Sequence, residues 1–267
     1  MIIRRKEFLE KGTSGTFLKR LGLVRKQMGR GDFEVFRCDD HEVAVIPLTG
    51  MVDIKATGEW GTSAWLDVGG RESVFDELPT LVMLPSCRLM LNAHEPVDVL
   101  VATLSGRKGL GLFPYLLRPE DLDVNIIGEG NHRRKVVSAQ QDDWVLKIGE
   151  TVHVGEGGTW SSWPKHLIDG DTKDFEELKL VIVKNVVGWG EDCEEPWAVV
   201  VQDGTYGGKE IHEVHKVVSG DVIIQPAGRH PIVGAPATKV WYLWAMVGDA
   251  GCPKRYGKFA GERGGYV

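Results

Sequence analysis

Short apolar runs bounded by glycine and proline set the strongest limit on what this 267-residue chain can become. Gly occurs 34 times and Pro 12 times. Between these breakers stand Glu42–Leu48, Leu81–Leu84, Asp98–Thr103, Trp144–His153, Leu178–Asn185, Trp197–Gln202, Asp221–Gln225 and Lys239–Met246. Val, Ile, Leu and aromatic residues dominate them, and their lengths are those of strands. Several are nearly continuous in apolar character, which in a β protein implies burial on both faces or the lining of a barrel. Helical signals are confined to Arg4–Glu10 and a turn around Arg118–Leu122, where Pro119 takes the first helical position. The class is therefore all-β, a sandwich or barrel that manages its strand edges by closure.

The strand-rich segments fall into two sets, about Phe33 to Thr103 and about Lys135 to Met246, with the charged, Gly-containing stretch Leu117–Arg134 between them. Two domains are expected, residues 1–120 and 121–267, each of ordinary size. A chain of this length buries roughly 70–75% of the surface its unfolded form exposes, so it needs no disulfide or structural metal to fold. Cys38, Cys87, Cys193 and Cys252 are scattered, without a C-x-x-C pair, and read as free thiols. The net charge of −6 is spread over both signs, which argues against nucleic acid as a partner but leaves room for a local cationic pocket. The first dozen residues are charged throughout, and no segment reaches the ~18 apolar residues of a membrane span. No membrane partner and a cytoplasmic location are the expectations.

The strongest local signal is Gly220-Asp221-Val222-Ile223-Ile224-Gln225-Pro226-Ala227-Gly228-Arg229-His230-Pro231. A Gly-Asp turn feeds a buried strand, and Pro226 with Gly228 then bends the chain so that His230 points into a barrel mouth. This resembles the second cupin motif. Upstream stand Gly158-Thr159-Trp160-Ser161-Ser162-Trp163-Pro164-Lys165-His166-Leu167-Ile168-Asp169 and Phe175-Glu176-Glu177-Leu178. Together with Tyr242, Leu243, Met246 and Gly248, these resemble the 5-deoxy-glucuronate isomerase family of inositol catabolism, which is related to the hexuronate isomerases. Agreement continues through Gly128-Glu129-Gly130-Asn131-His132-Arg133-Arg134-Lys135-Val136 and Gly69-Gly70-Arg71-Glu72-Ser73-Val74-Phe75, in register from about Glu42 to Gly248.

The resemblance implies a bicupin, two jelly-roll barrels of which the second carries the site. It also implies an aldose–ketose isomerase acting on a deoxy-hexuronate, and a homo-oligomer. In the family two histidines, a glutamate and a final histidine bind a divalent metal. His166, Glu177 and His230 keep three of these positions, and the fourth falls on Ile168, which cannot ligate. Two imidazoles and a carboxylate still suit Zn, Mn, Fe or Ni. Strand period two puts Lys179 on the face of Glu177, where the family usually has Tyr. Its ammonium would repel a metal cation, so a metal-free pocket with Lys179 as its cation stands beside the reduced metal site. A non-catalytic bicupin that binds a sugar acid is the alternative function. An iron oxygenase is a third, although the surrounding motifs resemble the isomerases.

The proton-transfer base has three candidates: Glu150, in the strand before the Trp-Ser-Ser motif, and His212 and Glu213. His153, His212 and His215 are possible replacement ligands, or plain strand histidines. Trp160 offers a flat face to a sugar or simply packs. Arg133 and Arg134 suit a sugar-acid carboxylate, with an ion pair to the Glu120–Asp123 stretch or plain solvation as the bland alternatives, and Arg229 is taken as substrate-binding with Arg133. Tyr242 lies in the last family-like motif and is taken as substrate-binding. The first half carries only the separate His41 and His94, and its role is expected to be structural.

Overall fold

Alternation of apolar and polar residues, with little helix, governs the chain in the computed structural model, which describes residues 1–247 apart from 107, 108, 110, 140–142, 156, 163–175, 187–193, 207, 208 and 226–228. The first strands are β1 (Ile2–Ile3), β2 (Leu21–Met28), β3 (Phe33–Cys38), β4 (His41–Thr49), β5 (Met51–Gly58) and β6 (Gly61–Gly69). They are followed by β7 (Leu81–Leu84), β8 (Cys87–Asn92), β9 (Val97–Ser105), β10 (Tyr115–Leu117), β11 (Asp123–Ile127), β12 (Arg134–Ala139) and β13 (Leu146–His153). The last are β14 (Trp160–Ser161), β15 (Glu176–Asn185), β16 (Trp197–Tyr206), β17 (Lys209–Val218), β18 (Val222–Gln225), β19 (Ile232–Gly234) and β20 (Thr238–Val247). One α-helix (Arg5–Lys11) and a short 3-10 turn at Pro119–Asp121 lie where the sequence places them. The chain is all-β.

The chain divides into two compact units. The N-terminal unit holds Lys6–Asp123 together with Ser138–Ile148. Its sheets run β10-β7-β4-β9-β2 and β3-β8-β5-β6. Val45, Leu84 and Val99 from the first and Ile54, Leu89 and Leu91 from the second form one apolar core. Glu42 is buried within this unit, and its Oε2 accepts the backbone N–H groups of Val145 and Leu146 at 2.9 and 2.7 Å. The carboxylate thus satisfies amides at the start of β13 that would otherwise be costly to bury. Cys38 and Cys87 are cross-strand partners and free thiols, pushed up to about 11 and about 12, chiefly by burial. They are protonated and unreactive at neutral pH. His94 is exposed and meets Asp53 at 2.7 Å.

The C-terminal unit holds Met1–Arg5 and Val124–Val137 with the described residues from Gly149 onward. A seven-stranded sheet, β1-β18-β15-β20-β13-β12-β11, and a four-stranded one, β14-β19-β16-β17, share its core. Val181, Ile223 and Tyr242 of the large sheet meet Val200, Val217 and Ile232 of the small one there. Strands β15 and β20 pair over ten residues from Glu176↔Val247 to Asn185↔Thr238, which makes β15 an interior strand flanked by β18 and β20. Gly149 on β13 is required by a close approach, because an added Cβ would lie 2.0 Å from the Trp244 ring and 2.4 Å from the Val137 carbonyl.

The N-terminal residues belong to this unit through Asp221. Gly220 turns the chain in the left-handed region at φ +91°. The buried Asp221 carboxylate then accepts Arg4 Nη1 at 2.7 Å, the Arg5 amide at 2.9 Å and the Val218 amide at 3.2 Å. Because Arg4 is largely exposed, most of the value lies in the amide contacts rather than in the ion pair. Asp221→Ala is expected to lower the unfolding free energy by about 1–3 kcal/mol and Asp221→Asn by less, as read from urea denaturation midpoints.

Candidate active site

Strand β15 brings a carboxylate and an ammonium to one inward face. Glu177 pairs in register with Gln225 and Met246, and Lys179 with Ile223 and Trp244, so both side chains sit mid-sheet. They are 2% and 3% exposed, and Lys179 Nζ lies 3.2 Å from Glu177 Oε1. Burying either ion alone would cost several kcal/mol, so each requires the other.

His230 completes the cluster. The backbone of Arg229 bridges to Asp203 on β16, and Ile232 continues into β19. This fixes the intervening chain so that the buried His230 Nε2 lies 3.1 Å from Glu177 Oε2. Both contacts to Glu177 are close approaches of charged or polar atoms without aligned hydrogen-bond angles. The imidazole and the ammonium therefore flank the carboxylate, one near each of its oxygens.

Two serines, to which sequence reasoning gave no role, shape the surroundings. Ser162 stands at φ +54°, a conformation that costs a non-Gly residue on the order of 1–3 kcal/mol. In that conformation its Oγ accepts a hydrogen bond from Lys179 Nζ at 3.0 Å. Ser161 Oγ meets His153 Nε2 at 2.8 Å, while His153 Nδ1 has no hydrogen-bond partner among the described residues. Burial pushes the His153 imidazole down to about 3, with the positive charges of Arg134 and Lys179 adding to the effect. It is therefore a neutral ring. Tyr242 packs edge-on against His153 with centroids 6.3 Å apart, and its face lies 5.0 Å from Lys179 Nζ. The doubled serine of Trp160-Ser161-Ser162 was the available signal, but nothing in a sequence reports the sign of φ.

The remaining expected site residues lie as follows. His166 and Ile168, with Trp163, Pro226 and Gly228, are outside the described residues. Glu150 is buried on β13 and accepts a hydrogen bond from Trp241 Nε1 at 3.0 Å. His212 and Glu213 lie on the solvent-facing part of β17, where His212 approaches Asp203 at 3.2 Å and Glu213 approaches His215 at 2.7 Å. The structure does not bring these two to the Glu177 cluster. Trp160 is half-buried on β14 opposite Val233. Arg133 is exposed, and Arg229 is about half exposed with Nη1 3.9 Å from Asp203.

A divalent cation fits the described residues poorly. Glu177 and His230 could both face one ion, but no group of three or more His, Cys, Asp or Glu converges among the described residues. More decisively, Lys179 already brings a positive charge to the same carboxylate. At the ~4 Å separation such an arrangement imposes, a doubly charged ion and an ammonium repel by roughly 8 kcal/mol at an effective dielectric of 20.

Residues 13–261 match the KduI/IolB family. A relative from Geobacillus kaustophilus, named 5-deoxy-glucuronate isomerase, is 28% identical over 82% of this chain and 75% of its own. One of the same name from Shouchella clausii is 25% identical over 84% and 78%. Among solved structures, an IolB-like protein from Salmonella typhimurium superposes with a TM-score of 0.74 at 21% identity, covering 91% of this chain and 88% of that one. Oxalate decarboxylase OxdC of Bacillus subtilis superposes at 0.55 with 11% identity, covering 93% and 72%. One structure of that decarboxylase concerns its Mn(II) centres. Both likenesses define the fold. No helix among the described residues is long and apolar enough to cross a membrane.

The neutral His153 has a consequence for stability. The unfolded chain binds a proton at this residue near pH 6.5, whereas the folded chain refuses it until about pH 3. Unfolding therefore takes up a proton in that window, and the residue withdraws stability as pH falls from about 6.5 toward about 3. His153→Gln keeps a partner for Ser161 and removes the titration. Its unfolding free energy should fall less steeply than the parent's between pH 7 and pH 4.5, as measured by urea titration at each pH.

Proposed function

Because the chain belongs to the KduI/IolB family and is an isomerase of it, we propose that it interconverts the aldose and ketose forms of a deoxy-hexuronate, with 5-deoxy-glucuronate as the substrate its relatives' name indicates. The observation that carries this reading is the buried approach of Glu177 Oε2 to His230 Nε2 at 3.1 Å. It joins a carboxylate and an imidazole, the two group types best suited to moving protons near neutral pH.

The chemistry requires the hydrogen on C2 to move to C1 and the hydroxyl hydrogen to move from O2 to O1. Glu177 takes the C2 proton, the C–H electron pair becomes the C1–C2 double bond, and negative charge gathers on O1 as an enediolate. The same carboxyl returns its proton to C1, on one face of the planar intermediate. His230 carries the hydroxyl proton from O2 to O1, so atoms and charges balance over the cycle. Arg229, next to His230 in the chain, is the guanidinium offered to the sugar-acid carboxylate, and Arg133 is a second. Glu150 holds the Trp241 indole and is not required as the base in this scheme.

Turnover of 5-deoxy-glucuronate in D₂O, followed by NMR, is the direct test. Solvent deuterium should appear at C1 of the ketose, and Glu177→Gln and His230→Ala should each lower kcat by about 10²–10⁴-fold, the range expected for a positioned acid or base. Full activity in either variant would overturn the assignment. Tight binding of the sugar acid without turnover would instead establish the non-catalytic alternative.

A further inference from the structure

We propose that Lys179 is the electrophile of this site: its ammonium binds the substrate carbonyl oxygen and carries the enediolate charge, so that the chain isomerises its sugar acid without a divalent metal. The inference rests on the isomerase reading above and names the group that makes it work.

Geometry carries the argument. Lys179 is 3% exposed in an apolar interior, where an aliphatic residue of the same size would pack without the desolvation cost of an ion. Its ammonium is held in a definite position by Glu177 Oε1 at 3.2 Å, Ser162 Oγ at 3.0 Å and the Tyr242 face at 5.0 Å. Ser162 adopts a left-handed backbone conformation while making its contact, and strain of this kind collects where a side chain must be aimed. An ammonium has three N–H donors. The Ser162 oxygen accepts one and Glu177 Oε1 holds the ion by charge, so among the described residues N–H capacity is left for a substrate oxygen while the ion stays anchored.

Placement beside the proposed base also matters. Glu177 and Lys179 project from one strand face two residues apart, so a C2–H presented to the carboxylate has its neighbouring C1=O within reach of the ammonium. As the C–H bond breaks, the electron pair moves onto O1. A fixed positive charge in a water-poor site stabilises that oxygen more than it stabilised the neutral carbonyl. The ammonium keeps its protons throughout and donates a hydrogen bond, so nothing is oxidised and no co-reactant is needed.

The test uses the purified full-length chain, dialysed against EDTA and then assayed with 5-deoxy-glucuronate while bound metal is measured by elemental analysis. The chelated protein should hold only substoichiometric metal and keep its full turnover. Lys179→Met should lower kcat by about 10²–10³-fold and lower the melting temperature because Glu177 loses its counter-ion, and Lys179→Arg should recover part of both losses. Titration with Mn²⁺, read by electron paramagnetic resonance, should show tighter binding in Lys179→Met than in the parent, because the competing charge is gone. Activity that disappears on chelation and returns with added metal would overturn this inference and leave the isomerase reading standing. A parent inactive both with and without metal would overturn the two together. Should Lys179→Met fail to fold, the chelated parent still decides the matter.

Discussion

A carboxylate and an ammonium two residues apart on an interior strand impose the central constraint on the C-terminal unit. Neither Glu177 nor Lys179 can lie in that apolar interior alone, because an unpaired buried charge costs more than most single interactions return. Their pairing requires β15 to keep one register between β18 and β20, since a one-residue slip would turn both ions to the opposite face. The long β15–β20 ladder supplies that register, and Gly149 lets β13 approach Trp244 on the far side of β20. The register of the sheet thus keeps a buried polar pair together.

Strands buried on both faces were legible in the sequence because their apolar character is continuous. Leu81–Leu84 and the runs within β4, β9, β15 and β20 are of this kind, and all of their central residues are buried. Strands with one face in water are less distinct. On β3, β6 and β17 exposed residues such as Phe33, Leu66 and Val214 alternate with charged ones, and the pattern resembles a loop as much as a strand. The link between Arg4 and Asp221, 217 residues apart, leaves no local trace at all.

At the site, motif and period two together pointed to Glu177, His230 and Lys179, and these three side chains meet. His212 and Glu213 stand near the His230 segment in sequence, and β17 places them toward solvent. Sequence proximity says little when a hairpin strand has a wet face. The roles of Ser161 and Ser162 depend on a φ value and on a partner eight residues away in one case and seventeen in the other. Such information arises only when the chain is folded.

Membership of the KduI/IolB family fixes the reaction class more firmly than it fixes the device that performs it. An enediolate needs positive charge near O1, and either a metal ion or an ammonium can supply it. The two differ in what the surrounding residues must be. A metal needs several neutral or anionic donors converging on one point, whereas an ammonium needs one counter-ion, a hydroxyl and a partly aromatic wall. The described residues around Lys179 are of the second kind: Glu177, Ser162 and Tyr242. His153 is held neutral chiefly by burial, with the positive charges of Arg134 and Lys179 adding to the effect. An ammonium so placed opposes a dication at the same carboxylate.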